Sequence, residues 1–159
     1  MAENGVEVRL ARDESEVEAA QQLRLRVFSD EQGVARDAEV DGLDHEATHV
    51  VAVRRDSVVG TCRLRFPRGR CKLERMAVDP TLRRTGIGVA LMQEAEREAA
   101  RQGATEVILH AQRQSEPFYA SCGFSAEGET FLEEGIAHVL MRKQLDLVDR
   151  RSGEDRRAS

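Results

Sequence analysis

A strand, a tight turn and a glycine-containing helix start follow one another near the middle of the chain, and this succession constrains the fold more than any other feature. The strand covers residues 71–78, and Asp79-Pro80 ends it because proline cannot donate to a sheet ladder. Residues 83–88 (RRTGIG) then lead into an amphipathic helix over 86–102, which Gly103 terminates. The unpaired amides of a helix start attract anions, and glycine lets a phosphate approach the backbone. The segment therefore predicts an anion site at a strand–helix junction.

The flanking sequence predicts one domain over residues 1–145. Alternating or β-rich runs indicate strands over 6–10, 48–54, 57–66, 105–110, 124–132 and 136–141. Apolar residues at helical spacing indicate helices from Asp13 or Ser15 to about Phe28, and over 115–121. Arg55-Asp56 indicates a tight hairpin. The acidic stretch 30–46 indicates a loop, with a short helix as an alternative, and the charged tail 146–159 indicates disorder.

Composition excludes several function classes. The chain has 159 residues, of which 40% are hydrophobic and 33% charged, and this balance is typical of a globular protein. A net charge of −5 and an aromatic content of 4% argue against nucleic acid and anionic membranes as partners. No apolar run approaches the ~20 residues that span a bilayer, and the first residues lack signal-peptide character. Three cysteines indicate neither a disulfide framework nor a zinc ribbon, so we expect a cytoplasmic protein.

Two motifs carry a family resemblance. Arg-x-x-Gly-x-Gly, at residues 83–88, follows a strand ending in Ala-Val-Asp-Pro, and residues 118–124 (FYASCGF) begin 32 residues after Gly86. Together they resemble the acetyl-CoA signature of the GNAT N-acetyltransferases, and the resemblance spans nearly the whole chain to about residue 145. Residues 27–34 and the closing segment 133–138 (EEGIAH) are similar to the ElaA-like and YjcF-like bacterial branch. The resemblance implies an α/β (α+β) three-layer sandwich, with helices on both faces of a mixed sheet of six or seven strands.

The resemblance also implies the chemistry, which is direct transfer of an acetyl group from acetyl-CoA, as co-substrate, to an amine without a metal. The strand over 71–78 would pair with the pantetheine arm, and the amides of the glycine loop would hold the pyrophosphate. Gln112 stands where many relatives carry Asn. The cofactor-binding residues implied in this way are Met76, Ala77, Val78, Arg83, Arg84, Thr85, Gly86, Ile87, Gly88, Val89 and Gln112.

Two residues match catalytic positions of the family. Tyr119 matches the general acid that protonates the departing CoA sulfur, and packing beside Phe118 and Phe124 is the structural alternative. Glu74 matches a strand glutamate that serves many members as general base. A hairpin turning at Arg68-Gly69 would instead set Glu74 opposite Arg63 as a cross-strand ion pair. His110 and a water relay are further alternatives for the base.

The acidic stretch 30–46 is the most negative part of the chain, with seven carboxylates against one arginine. In the family, the region after the first helix lines the acceptor side. A negative surface concentrates cations, so we expect a cationic primary amine as acceptor, with Glu31, Asp41 and Asp44 as candidate binding residues. A solvated acidic loop is the alternative. The identity of the amine stays open, and so does the oligomeric state, for which a homodimer is one expectation.

A competing pattern, His45-Glu46-Ala47-Thr48-His49, spells the zinc-protease sequence His-Glu-x-x-His. That chemistry needs both histidines on one helical face. Gly42 precedes the pattern and an apolar strand follows it, so we expect a loop entering a strand and no metal site. A non-catalytic acyl-CoA-binding regulatory module is the other alternative, which would keep the loop at 83–88 without needing Tyr119.

Overall fold

The computed structural model describes residues 5–34 and 41–145. Seven strands in these residues form one mixed sheet with the strand order β1-β2-β3-β4-β5-β7-β6. The strands are β1 (Val6–Leu10), β2 (Thr48–Arg54), β3 (Ser57–Arg65), β4 (Cys71–Val78), β5 (Glu106–Gln112), β6 (Ser125–Glu133) and β7 (Ile136–Gln144). The α-helices are α1 (Glu14–Arg24), α2 (Ile87–Arg101) and α3 (Glu116–Ser121). This architecture confirms the expected α/β class and the mixed sheet.

The described residues fall into two compact units. The first runs to Arg65 and resumes over Glu74–Glu94, and the second comprises Phe66–Leu73 and the chain from Ala95 onward. Strands β1, β2 and β3 of the first unit are antiparallel neighbours. In the second unit, β5 is antiparallel to β7 and β7 to β6. The parallel contact of the sheet joins β4 and β5, where Cys71 is in register with Val107.

Local signals set the ends of several elements in the first unit. The Asp13 carboxylate accepts a hydrogen bond from the Glu16 amide at 3.0 Å and caps α1, which selects Asp13 from the two caps that the sequence offered. Arg55 and Asp56 both have positive φ, 51° and 64°, which matches the tight hairpin predicted between β2 and β3. The first unit's core includes Leu23, Val27 and Ala77.

Gly60 on β3 marks a close approach of helix α2. A Cβ atom at this position would lie 2.9 Å from Ile87 Cγ2 and 3.1 Å from Leu91 Cδ1. Ile87 and Leu91 are buried on one face of α2, as the helical spacing predicted. The absence of a side chain at residue 60 therefore lets the first turns of α2 lie directly on the strand.

Buried apolar side chains form the core of the second unit. They come from β4, α2, β5 and β7, and include Cys71, Leu73, Ala95, Ala99, Val107, Leu109, Val139 and Met141. Burial raises the pKa of the Cys71 thiol to about 12, so this cysteine is held as an unreactive thiol. None of the three cysteines, all of which lie in the described residues, forms a disulfide bond.

Three elements have a boundary that differs by two residues or more from the sequence expectation. The first α-helix ends at Arg24 and continues as a π-helical segment, Leu25–Glu31, whose wider turns keep Val27 and Phe28 against the core. Strand β5 extends to Gln112 because Gln112 pairs with His138, and β7 extends to Gln144 because Gln144 pairs with Glu106. Part of the acidic stretch, residues 35–40, and the charged tail 146–159 lie outside the described residues.

Short 3₁₀ turns precede several of these elements. They are Asp44–Glu46 before β2, Pro67–Gly69 before β4, Pro80–Leu82 before α2 and Arg113–Ser115 before α3.

Within residues 5–34 and 41–145, no helix combines the length and apolar character that crossing a membrane requires.

Candidate active site

The turn after β4 is fixed by Asp79. Its carboxylate accepts hydrogen bonds from the Thr81 amide at 2.9 Å and the Thr81 hydroxyl at 2.7 Å, and its own amide donates to Val59 O at 2.8 Å. The two bonds from Thr81 lower the pKa of Asp79, so the carboxylate stays ionised and continues to hold the turn. Pro80 begins the 3₁₀ turn. The turn therefore delivers the chain from the end of β4 to the start of α2.

The helix α2 begins with an open amide cluster. The Ala90 amide donates to Gly86 O at 3.0 Å, so the amides of Ile87, Gly88 and Val89 belong to the first turn, whose N–H groups have no intrahelical acceptor. Gly86 has φ of 91°, a left-handed conformation suited to glycine, and a Cβ built on it would have no atom within 4 Å. This helix start can accept an anion without rearrangement of the backbone.

Arginines precede the glycines of this loop. Arg83 and Arg84 are both exposed, and Arg84 has a left-handed φ of 66°. A non-glycine residue at positive φ costs of order 1 kcal/mol, and such strain is found where a loop is shaped for function. Two guanidinium groups beside an open helix start give the loop the charge that a pyrophosphate group requires.

Strand β4 contains its own backbone irregularity. Arg75 has φ of 57° in the middle of the strand, between the part-buried residues Glu74 and Met76. A left-handed residue interrupts the regular pleat and changes the direction in which neighbouring peptide groups point. The irregularity therefore lies directly before Met76, Ala77 and Val78, the backbone segment expected to hold the pantetheine arm.

Arg63 is the centre of a cluster of charged residues in the first unit. The Arg63 side chain is 0% exposed, and its Nη2 lies 2.8 Å from both Asp41 Oδ2 and Glu74 Oε1. Its Nη1 donates to Asp44 Oδ1 at 3.1 Å. Asp44 also accepts a hydrogen bond from the buried Arg24, and Asp41 accepts one from Arg75 at 3.2 Å. Asp41 and Asp44 are therefore each compensated by two arginines.

Glu74 is held by two arginines. Its Oε1 accepts from Arg63 and Arg65, and its Oε2 accepts from Arg65 Nη2 at 2.9 Å. Burial disfavours the charge of Glu74, but the hydrogen bonds and charges of both arginines outweigh it and lower the pKa to about 2. The ion pair with Arg63, one of the alternatives that the sequence left open, is confirmed. A carboxylate with so low a pKa has little driving force for taking a proton from an amine.

Asp41 and Asp44, two of the three acceptor-binding candidates, have similar environments. Hydrogen bonds from Arg63 hold the pKa of Asp41 well below its usual range. Burial opposes the charge of Asp44, yet hydrogen bonds from Arg24 and Gln21 lower its pKa to about 2. The third candidate, Glu31, is the last residue of the π-helical segment. The binding of an amine by these three residues stays a prediction.

Tyr119 lies in the second unit on helix α3. Its side chain is buried, at 8% exposed, and its ring makes edge-to-face contacts with Phe118 at 5.1 Å and Phe124 at 6.1 Å between ring centroids. The Phe124 amide donates to Tyr119 O at 3.1 Å, which closes the helix at Gly123, where φ is 96°. The packing contacts expected of Tyr119 are thus present.

Gln112 and His110 end strand β5. The Gln112 side-chain oxygen accepts from Gln114 Nε2 at 3.0 Å, and Gln112 is in register with His138 of β7. His110 Nδ1 lies 2.9 Å from Glu133 Oε1, at the end of β6. The sequence motifs contained Glu133 and His138 within the closing segment 133–138, but no local signal indicated their approach to His110.

The zinc-protease pattern does not form a zinc-binding helix. His45 lies exposed in the 3₁₀ turn Asp44–Glu46, whereas His49 is buried on β2 and its Nε2 lies 3.0 Å from Asp44 O. The two histidines therefore lack the shared helical face that the pattern requires. In the described part of the chain, no group of three or more His, Cys, Asp or Glu side chains is arranged to hold a metal ion.

Comparison with known proteins gives one consistent result. The model of the acetyltransferase (GNAT) domain family matches residues 10–145. Bacillus subtilis YjcF, named as an N-acetyltransferase, is 38% identical over 135 residues, which cover 84% of this chain and 96% of YjcF. Among solved structures, one named as an N-acetyltransferase from Lactobacillus plantarum has a TM-score of 0.83 at 27% identity, covering 90% of this chain and 100% of that protein. Escherichia coli ElaA has a TM-score of 0.78 at 26% identity, covering 87% and 99%.

Proposed function

Since the chain belongs to the GNAT family of acetyltransferases, we propose that it transfers the acetyl group of acetyl-CoA directly to a primary amine. The observation that carries this proposal is the open helix start at Gly86, where the first-turn amides of α2 meet a positive-φ glycine with free space around it. Family membership and the geometry of this loop support the same assignment.

The loop between β4 and α2 would bind the diphosphate of acetyl-CoA. The amides of residues 84–89 would supply hydrogen bonds, and the exposed side chains of Arg83 and Arg84 would supply charge. The left-handed Arg75 in β4 supports a role for the following backbone, because peptide groups after a break in the regular pleat can pair with a ligand instead of a neighbouring strand. Met76, Ala77 and Val78 would contact the pantetheine arm, and Gln112 would hold the cofactor through its amide.

Tyr119 would act as the general acid. The departing group is a thiolate, whose thiol has a pKa near ~8.5, and a tyrosine phenol titrates near ~10. A neutral phenol can therefore donate its proton to the sulfur as the carbon–sulfur bond breaks. The burial of Tyr119 beside two phenylalanines supports this role because it keeps the ring in a single orientation.

The acceptor amine must lose a proton before it attacks. An amine with a pKa of ~10.4 is neutral in only about one molecule in two thousand at pH 7, so a base or a water relay accelerates the reaction. Glu74 is the residue that the family pattern proposes for this role. Its two arginine partners make it a weak proton acceptor.

A panel of amines tests the proposed function. Purified protein is incubated with acetyl-CoA and one amine at a time, and the release of free CoA thiol is followed. We expect release with at least one primary amine and none with its tertiary counterpart. Acetyl-CoA binding without release for any amine would favour the non-catalytic acyl-CoA-binding module and overturn the proposed transfer. A cytoplasmic location and a homodimer stay predictions from the sequence.

A further inference from the structure

Two histidines share one carboxylate at the ends of β5, β6 and β7. His110 Nδ1 lies 2.9 Å from Glu133 Oε1, and His138 Nε2 lies 3.7 Å from Glu133 Oε2. The ring of Phe131 packs edge-on against His110 at 5.0 Å and nearly parallel to His138 at 6.0 Å. All four residues belong to the second unit. The family resemblance assigned roles to Tyr119 and Glu74, but among these four residues it left only His110 as an alternative general base.

The hydrogen-bond partners indicate where each imidazole carries its proton in its neutral form. An ionised carboxylate only accepts hydrogen bonds, so the contact with Glu133 requires the proton of neutral His110 on Nδ1 and leaves a lone pair on Nε2. His138 Nδ1 lies 2.7 Å from Ile136 O, which also only accepts, so its proton is on Nδ1 as well. Glu133 is thus placed to stabilise the positive charge that forms when either ring takes up a proton.

Exposure distinguishes the two histidines. The His110 side chain is 31% exposed, whereas that of His138 is 9% exposed. A molecule from solution can therefore reach His110 but not His138 without rearrangement. Imidazole is also the side chain best suited to exchange protons near neutral pH.

The other charged groups on this face of the strands are already compensated. Arg142 of β7 donates to Glu106 at 2.7 Å and to Glu127 at 2.9 Å. Lys72 of β4, in register with Ile108, is a further cation on this face and has its own interaction partner. Glu133 is therefore the carboxylate that the histidine pair uses.

We propose that His110 Nε2 accepts a proton from the acceptor amine, and that Glu133 positions the His110 ring for this step. The inference rests on the proposed acetyl transfer and names its base. The contrast with Glu74 supports it, because both Glu74 oxygens already accept hydrogen bonds from arginines.

His110 takes one proton from the ammonium form of the acceptor and later releases it to solvent. The neutral nitrogen attacks the thioester carbonyl, so a carbon–nitrogen bond forms and the carbon–sulfur bond breaks. The nitrogen loses its second proton to solvent, and the sulfur receives one from Tyr119, which solvent reprotonates. An ammonium ion and acetyl-CoA thus give an amide, CoA thiol and one proton.

Substitutions at two residues test the proposal with the best amine of the panel. His110→Gln should lower kcat at about pH 7 by about 10²-fold, with unchanged acetyl-CoA affinity. Above about pH 8, where we expect the wild-type rate to be constant, the rate of His110→Gln should keep rising because the fraction of free amine grows. Glu133→Gln should lower kcat comparably, because its amide can donate to Nδ1 and stabilise the tautomer that lacks the Nε2 lone pair. Glu133→Asp should recover part of the loss.

The matched control is Glu134→Gln, which neutralises an exposed neighbour in the same hairpin turn and should leave kcat unchanged. Wild-type kcat and pH profile in both test variants would overturn the proposal while leaving acetyl transfer intact. Absence of thiol release from wild-type protein with every amine would instead overturn the proposed function and this step with it.

A spectroscopic measurement tests the geometry independently of turnover. Protein labelled with ¹⁵N in its histidine rings distinguishes a protonated ring nitrogen from a bare one, and the signal that His110→Gln removes identifies His110. We expect the Nδ1–H form in wild type and its loss in Glu133→Gln. An Nε2–H form of His110 in wild type would overturn the proposal.

Discussion

The guanidinium of Arg63 lies 2.8 Å from the carboxylate of Glu74, and the Arg63 side chain has no exposed surface. Glu74 is thereby tied to a cluster in which Asp41 and Asp44 bind the same arginine. A buried charge that loses its partner is costly, so this contact stabilises the first unit only while both members are ionised. Glu74 is consequently better suited to hold the structure than to exchange protons during turnover.

Glu74→Gln should lower the free energy of unfolding by about 3 kcal/mol at neutral pH, because the positive charge of Arg63 stays buried with one fewer carboxylate beside it. The folded-state pKa of Glu74, about 2, is below its unfolded value near ~4.3. Its stabilising contribution is therefore complete above the unfolded value and is lost as the pH falls through about 2.

Urea unfolding from about pH 7 down to about pH 2 measures this dependence. The difference between wild type and Glu74→Gln should be constant at neutral pH and shrink below about pH 4. Glu129→Gln, at an exposed position of β6, is the control and should change stability little. An equal difference at all pH values would contradict the assigned ion pair.

Gly86→Glu should abolish stabilisation by acetyl-CoA, because it puts a carboxylate where the diphosphate would bind. A ligand at 100 times its Kd adds about 2.7 kcal/mol to the free energy of unfolding, which raises the Tm of a domain of this size by roughly 5–10 °C. Differential scanning fluorimetry with and without acetyl-CoA measures the shift.

Gly103→Glu is the matched control for this measurement. Gly103 also has positive φ, 83°, and open space around its Cβ, so the substitution carries the same backbone strain at the end of α2 instead of its start. It should lower the Tm but preserve the acetyl-CoA shift. An undiminished shift in Gly86→Glu would show that the loop does not bind the diphosphate.

Tyr119→Phe should retain acetyl-CoA affinity and lower kcat by about 10²-fold, because the ring contacts with Phe118 and Phe124 persist while the proton donor is lost. Initial rates of thiol release and a binding titration separate the two effects. Phe124→Leu serves as the packing control and should lower stability more than kcat. If Tyr119→Phe turns over like wild type at every pH, the residue only packs.

Asp41→Asn should raise the KM for a cationic amine while leaving the KM for acetyl-CoA nearly unchanged, and the rise should diminish at high salt. Asp41 is the better test of acceptor binding because its side chain is 26% exposed against 12% for Asp44. Asp44→Asn, which removes a partner of buried Arg24, should mainly lower the unfolding free energy. An unchanged KM in Asp41→Asn, or a neutral best acceptor, would contradict binding through this carboxylate.

Local chemistry in the sequence determined the strand–turn–helix segment, the Asp13 cap and the hairpin at Arg55-Asp56. Each depends on residues within a few positions of one another: a capping carboxylate, a proline that ends a ladder, a glycine at positive φ. The two motifs that indicated the family are likewise contiguous segments, at residues 83–88 and 118–124.

Tertiary structure decided which charged side chains meet beyond the pair of Arg63 and Glu74. The sequence offered Arg63 as one alternative for Glu74, but the convergence of Asp41 and Asp44 on the same guanidinium needed the folded path of the acidic stretch. The approach of Glu133 to His110 depends on the register of β5, β7 and β6. That register is set by many weak contacts between strands that are far apart in the sequence. Carboxylates with similar sequence surroundings therefore have different roles in the fold, because the folded chain gives each one a different partner.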